Sequence, residues 1–151
     1  MAIFTLGKLL DRVEAFENRL TIFYAAVRDQ SKDNGAKLLI YYLVRHRKHQ
    51  QQVLENFNKA DITHARRIKI QDDIPFTPDA ERQLLQVNPS SINGKTLLAT
   101  AMVYDAQLAQ FYGRILKAPL NPMATSLIKS LIRLEQRHKL MLKKLLDMKY
   151  F

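Results

Sequence analysis

Apolar residues recur along this chain at spacings of three and four, the period of a helix with one buried face, in four separate stretches. The first stripe runs Leu10, Val13, Glu17, Leu20, Tyr24, Val27, and the second Leu39, Tyr42, His46, His49, Val53. The third runs Leu98, Ala101, Asp105, Leu108, Tyr112, Ile115, and the fourth Ile128, Leu131, Glu135, His138, Leu142, Leu145. Each predicts a bundle helix. Thr5 suits the N-cap of the first, Ser31 or Asp33 that of the second, and Asn121 followed by Pro122 the start of the fourth. The turns inside each pair are short, at Gly35 and at Pro119 to Pro122, so helices 1 and 2 should run antiparallel, as should 3 and 4.

Between Lys59 and Lys95 the period is lost. A connection this long needs a reason inside a compact domain, and a crossover from one end of a bundle to the other supplies it. Thr77-Pro78 should start a short helix whose Leu84 and Leu85 cover the core. The alternation Arg67-Ile68-Lys69-Ile70 reads as a brief extended piece, stopped by Asp72, Asp73 and Pro75.

The two pairs of helices repeat each other. Glu17-Asn-Arg-Leu20-Thr-Ile-Phe23-Tyr24 matches Asp105-Ala-Gln-Leu108-Ala-Gln-Phe111-Tyr112 at an offset of 88 residues. An offset of 89 lays His46-Arg-Lys-His49 on Glu135-Gln-Arg-His138. Two matches at nearly one offset, on either side of a crossover, argue for a duplicated hairpin.

Composition narrows the picture. The 151 residues, 47% hydrophobic and 25% charged, suit one domain spanning 1–151 with a sizeable core. Only 4 Gly and 5 Pro occur, which favours helices over a turn-rich β architecture. The absence of cysteine excludes disulfides, thiolate metal sites and a cysteine nucleophile. The apolar run within Met1 to Leu10 is too short for a signal peptide, and no stretch reaches membrane-spanning length, so a cytoplasmic protein without a membrane partner is expected. The net charge of +10 is concentrated on the later helices: from residue 96 onward nine Lys or Arg face three acidic residues. Arg45, Arg47 and Lys48, with Arg133, Arg137, Lys139, Lys143 and Lys144, form a basic surface suited to an acidic partner or nucleic acid, but no recognition motif accompanies them.

The chemistry lies in the stripes themselves. A carboxylate in an apolar seam costs several kcal/mol unless a cation, a hydrogen bond or a metal compensates it. Six polar seam residues need such a partner: Glu17, His46, His49, Asp105, Glu135 and His138. Side chains three apart share a helix face, so His46 with His49, and Glu135 with His138, can each aim two donors at the bundle centre. Glu17 and Asp105 approach from the other two helices, in the arrangement of di-iron and di-manganese carboxylate bundles. Tyr24 and Tyr112 accompany the acids seven residues on, where packing is the simpler role.

On these residues the chain resembles the ferritin-like superfamily, and within it the rubrerythrin-like four-helix proteins, over nearly its whole length. The resemblance implies a ferritin-like bundle of two duplicated antiparallel hairpins, with Glu17, His46, His49, Asp105, Glu135 and His138 around a carboxylate-bridged dimetal centre. It further implies iron, with zinc or manganese as alternatives, and chemistry on dioxygen, peroxide or ferrous ions. Two departures mark this chain: His46 stands where the family has a bridging acid, and Asp105 where it usually has Glu. Three carboxylates balance less charge than four, which should weaken the second metal position, so one or two ions are expected. Without the cysteine-bound electron-transfer part of full rubrerythrins, any redox partner would be a separate molecule. Three functions follow as expectations: a metal-dependent oxidoreductase, a non-catalytic metal-binding or iron-handling protein, and a metal-free bundle with an acid–histidine network acting through its basic surface. The apolar content of the crossover would suit a homodimer.

Overall fold

A computed structural model describes residues 4–148, so Met1 to Ile3, part of the segment weighed as a signal peptide, lie outside the described residues. The order is β1 (Phe4–Thr5), α1 (Leu6–Gln30), α2 (Asn34–Glu55), α3 (Lys59–Arg66), β2 (Lys69–Ile70), α4 (Ala80–Gln83), α5 (Gly94–Ile115) and α6 (Pro122–Asp147). The architecture is all-α in character. Its four long helices, α1, α2, α5 and α6, have 25, 22, 22 and 26 residues and surround one apolar core.

Each long helix starts on a side-chain cap. Thr5 accepts from the Lys8 N–H, Asn93 from that of Thr96, and Asn121 from that of Ala124, with Pro122 in the first turn where its missing N–H costs nothing. Of the two candidates for α2, Asp33 is the cap. Its Oδ1 accepts from Gly35 and Ala36, and its Oδ2 accepts from Gly94 N at 3.0 Å, inside the first turn of α5. One carboxylate therefore serves two helix N-termini, where both partial positive ends favour it. Asp33→Ala should cost about 2 kcal/mol, the sum of two caps of ~1 kcal/mol each. Urea unfolding measures it, and a loss under about 0.5 kcal/mol would mean that the shared cap is ornamental.

Three of the four stripes behave as their spacing predicts. Every stripe residue of α5 and α6 is buried, and so is every one of α1 except the half-buried Leu10. In α2 the buried face is Ala36, Leu39, Ile40, Leu43, His46 and Gln50, which leaves Tyr42, His49 and Val53 half-buried. The correction is a rotation about His46. On a 3.6-residue helix, i+4 lies nearer the line of i than i+3 does, and the packing of α2 against α1, α5 and α6 selects the i+4 position.

The connection from α2 to α5 holds more structure than the sequence reading gives it. The alternating segment at Arg67–Ile70 does supply a strand, β2, which pairs antiparallel with β1 through Phe4 opposite Ile70 and Thr5 opposite Lys69. The short helix α4 begins after Asp79, two residues beyond Pro78, and Leu84 is buried beneath it. Helix α3 was not foreseen, because Ala65 is its one buried residue and no apolar stripe marks it. It lies close on α1 at Gly7, where a Cβ would stand 3.0 Å from the Arg66 carbonyl oxygen. Further on, Phe76 wedges between α1 and α5, with ring centroids 5.8 Å from Phe16 and 4.9 Å from Phe111. Among the described residues no helix is long and apolar enough to cross a membrane.

Candidate metal centre

The bundle interior brings together His46 of α2, Asp105 of α5, and Glu135 and His138 of α6, all buried, with one potential ligand atom from each lying within 4.8 Å of the others. Glu135 and His138 share a face of α6 because they are three residues apart. His46 turns Nε2 to the Glu135 carboxylate, 3.1 Å from both oxygens. His138 sets Nδ1 at 2.6 Å from Asp105 Oδ2. The two imidazoles stack almost parallel, with centroids 3.5 Å apart and planes 4° apart.

Glu17 and His49, the other two residues expected in the centre, stand outside this group of four. Glu17 is buried on α1, where its carboxylate accepts from Gln50 Nε2 at 3.0 Å, from the Tyr104 hydroxyl at 3.1 Å and from Arg47 at 3.3 Å. Gln50 Nε2 also donates to Glu135 Oε1 at 2.7 Å and so links Glu17 to the group. His49 is half-buried on the flank of α2. It lines a groove of about 470 Å³ between α2 and α6, and the floor of that groove includes His46 and His138. Arg47, expected on the basic surface, is instead turned inward and also bonds Asn18. Arg45, Lys48, Arg133, Arg137, Lys139, Lys143 and Lys144 are exposed.

Gln50 and Tyr104 escaped the sequence reading. Gln50 sits four residues after His46 at the head of a Gln-Gln-Gln run that looks like solvated surface. Tyr104 directly precedes Asp105, off the stripe drawn through it. It nonetheless hydrogen-bonds Glu17 beside the site, while Tyr24 and Tyr112 are buried in the core.

Burial dominates the electrostatics. It pushes the carboxyls of Glu17 and Glu135 up to about 7, and Glu17 is raised further by the Glu135 charge and lowered by Arg47. Asp105 is raised by burial and then by the neighbouring Glu135. Burial lowers His46 to about 3 and His138 to about 4. Both imidazoles are thus neutral at ordinary pH, and their contacts with Glu135 and Asp105 are hydrogen bonds, not ion pairs. Two stacked imidazolium rings would repel, consistent with that state.

The donor set fits a metal ion. A neutral imidazole that donates Nδ1–H to a carboxylate offers Nε2 as its lone-pair nitrogen, the usual posture of a metal-binding histidine. His138 Nε2 is buried without a hydrogen-bond partner, a state that costs about 1–3 kcal/mol. A cavity of about 20 Å³ beside Glu17, His46, Tyr104, Asp105 and His138 has room for one ion or one water. Imidazole donors suit zinc, iron, copper or nickel and carboxylates manganese, so the four side chains fit a transition-metal ion without selecting one. Comparisons of the chain with protein families, with curated proteins and with solved structures return no match.

Proposed function

We propose that this protein is a ferritin-like metal-binding bundle that holds one transition-metal ion at His46, Asp105, Glu135 and His138. The observation that carries the reading is the convergence of these four buried groups together with the orphaned nitrogen of His138. The resemblance to ferritin-like proteins makes iron the expected ion, with zinc and manganese as alternatives. The duplicated hairpin is part of the same reading. It is supported by the shared burial of Glu17 and Asp105, of Leu20 and Leu108, and of Tyr24 and Tyr112, and by the direct contact between the matched residues His46 and Glu135.

Bound iron would supply one-electron chemistry toward a small oxidant. The chain's own residues would do the rest. Asp105 would hold the His138 ring, Tyr104 and Arg47 would hold Glu17, and the core would keep bulk water away. The groove between α2 and α6 favours an oxidoreductase acting on peroxide or dioxygen over a purely structural site, because it reaches the two imidazoles from outside. An external electron donor would then be needed, and the exposed lysines and arginines of α6 would suit an acidic one.

Protein purified without chelator should contain close to one metal ion per chain by elemental analysis, and stripped protein should regain one on titration with ferrous or zinc ions. A content near zero after reconstitution would sink the reading. Repeated turnover of peroxide by the ferrous form would mark an enzyme, and a single stoichiometric oxidation an iron-handling protein.

A further inference from the structure

Gln50 has a peculiar place beside this centre. It is buried, and its Nε2 lies between two carboxylates, 3.0 Å from Glu17 Oε1 and 2.7 Å from Glu135 Oε1. An amide nitrogen has two hydrogens, and here each has a carboxylate to receive it. The amide oxygen of the same side chain is buried without a partner. The side chain is therefore oriented for its donors at the expense of its acceptor. Glu17 is otherwise held by Tyr104 on the same oxygen and by Arg47 on the other, so its lone pairs are already directed at protein donors.

A divalent ion bridging Glu17 and Glu135 would have to stand about 2.0–2.2 Å from an oxygen of each, in the space that Nε2 now fills. We propose that the Gln50 amide takes the place of a second cation between Glu17 and Glu135, so that the protein binds a single ion and Glu17 serves as a hydrogen-bonded wall instead of a ligand. The inference rests on the metal-binding reading for the first ion, but its own content is the position between the two glutamates. A neutral amide links the carboxylates at that position without charge, and a glutamate of the same length would turn the link into a third carboxylate.

The test is the number of ions gained on changing Gln50 in the full-length chain. Chelator-stripped wild type, Gln50→Glu and Gln50→Ala are each titrated with zinc by calorimetry, with bound zinc counted after gel filtration. The expected stoichiometries are one ion for wild type and two for Gln50→Glu. Gln50→Ala, which removes both N–H groups, should gain the same second ion with at least about 10-fold weaker affinity than Gln50→Glu, since it brings no carboxylate of its own. Two ions on wild type would overturn the inference, as would no gain in either variant. Zero ions on wild type with one on Gln50→Glu would refute the four-residue centre and still support the role of Gln50. If Gln50→Glu fails to fold without metal, Gln50→Ala carries the test.

Discussion

Glu135→Gln should separate metal binding from folding: affinity for ferrous or zinc ions is expected to fall by at least ~100-fold, beyond the ~10–100-fold typical of residues that only support a ligand. Stability of the metal-free protein at pH 8 should hold or rise. The reason lies in the neighbours of Glu135. At pH 8 its carboxylate is ionised in a buried site, with Glu17 and Asp105 close by and neutral imidazoles for company. Replacing a buried charge that lacks a full counter-charge by a neutral group of the same volume is commonly neutral or stabilising. The glutamine carbonyl can still accept from Gln50 and His46. A core residue chosen for stability behaves in the opposite way and costs free energy when changed. Thermal unfolding in chelator, paired with zinc titration, reads both quantities. A variant that binds zinc as tightly as wild type would remove Glu135 from the centre, and one that unfolds well below wild type would return it to a structural role.

The helical architecture was legible because three of the four stripes are built from residues that leave little choice. On α6 the run Ile128, Leu131, Glu135, His138, Leu142, Leu145 is buried throughout, and the lysines and arginines of the helix lie on its exposed side together with Leu140 and Leu146. α2 offered two stripes of similar apolar content. One passes through Tyr42, His46, His49 and Val53, and the other through Leu43, His46 and Gln50. Local periodicity does not decide between them, and the analogy of His46-x-x-His49 with Glu135-x-x-His138 pointed to the wrong one. The choice is made by contacts distant in sequence, Gln50 to Glu17 and Gln50 to Glu135. Helix α3 was hidden for a related reason: it covers α1 and α6 mostly with polar side chains. Four of the six expected residues converge, and Glu17 and His49 stand outside that group. Gln50 and Tyr104, which hydrogen-bond the buried glutamates, lie outside the stripes and become visible when the helices are placed side by side.

The same buried acids give the metal-free protein an unusual pH dependence. Glu17 and Glu135 are raised to about 7 from an ordinary value of 4.5, so between those values the folded state holds protons that the unfolded chain releases. Their contribution to stability is present at acid pH and is lost as pH rises through about 7, with Asp105 acting in the same direction. His46 and His138 act in the opposite sense. Lowered to about 3 and about 4 from 6.5, they make the unfolded chain the better proton binder below 6.5, so stability falls as pH drops toward their folded values. The two sets largely offset each other between about 4.5 and 6.5, and above that range the carboxyls alone remain. With three carboxyls against two histidines, metal-free protein should therefore be most stable near pH 4.5–5 and lose about 5–10 °C of melting temperature by pH 8. A bound divalent ion reverses the trend, because it takes the carboxylates ionised and releases their protons on binding. The gap in melting temperature between zinc-loaded and chelator-treated protein should widen from pH 5.5 to 8. Scanning fluorimetry across that range, with and without zinc, decides it. A melting temperature in chelator that stays level or climbs toward pH 8 would mean that the carboxyls are compensated by protein contacts alone, and the case for an ion among them would lose its electrostatic support.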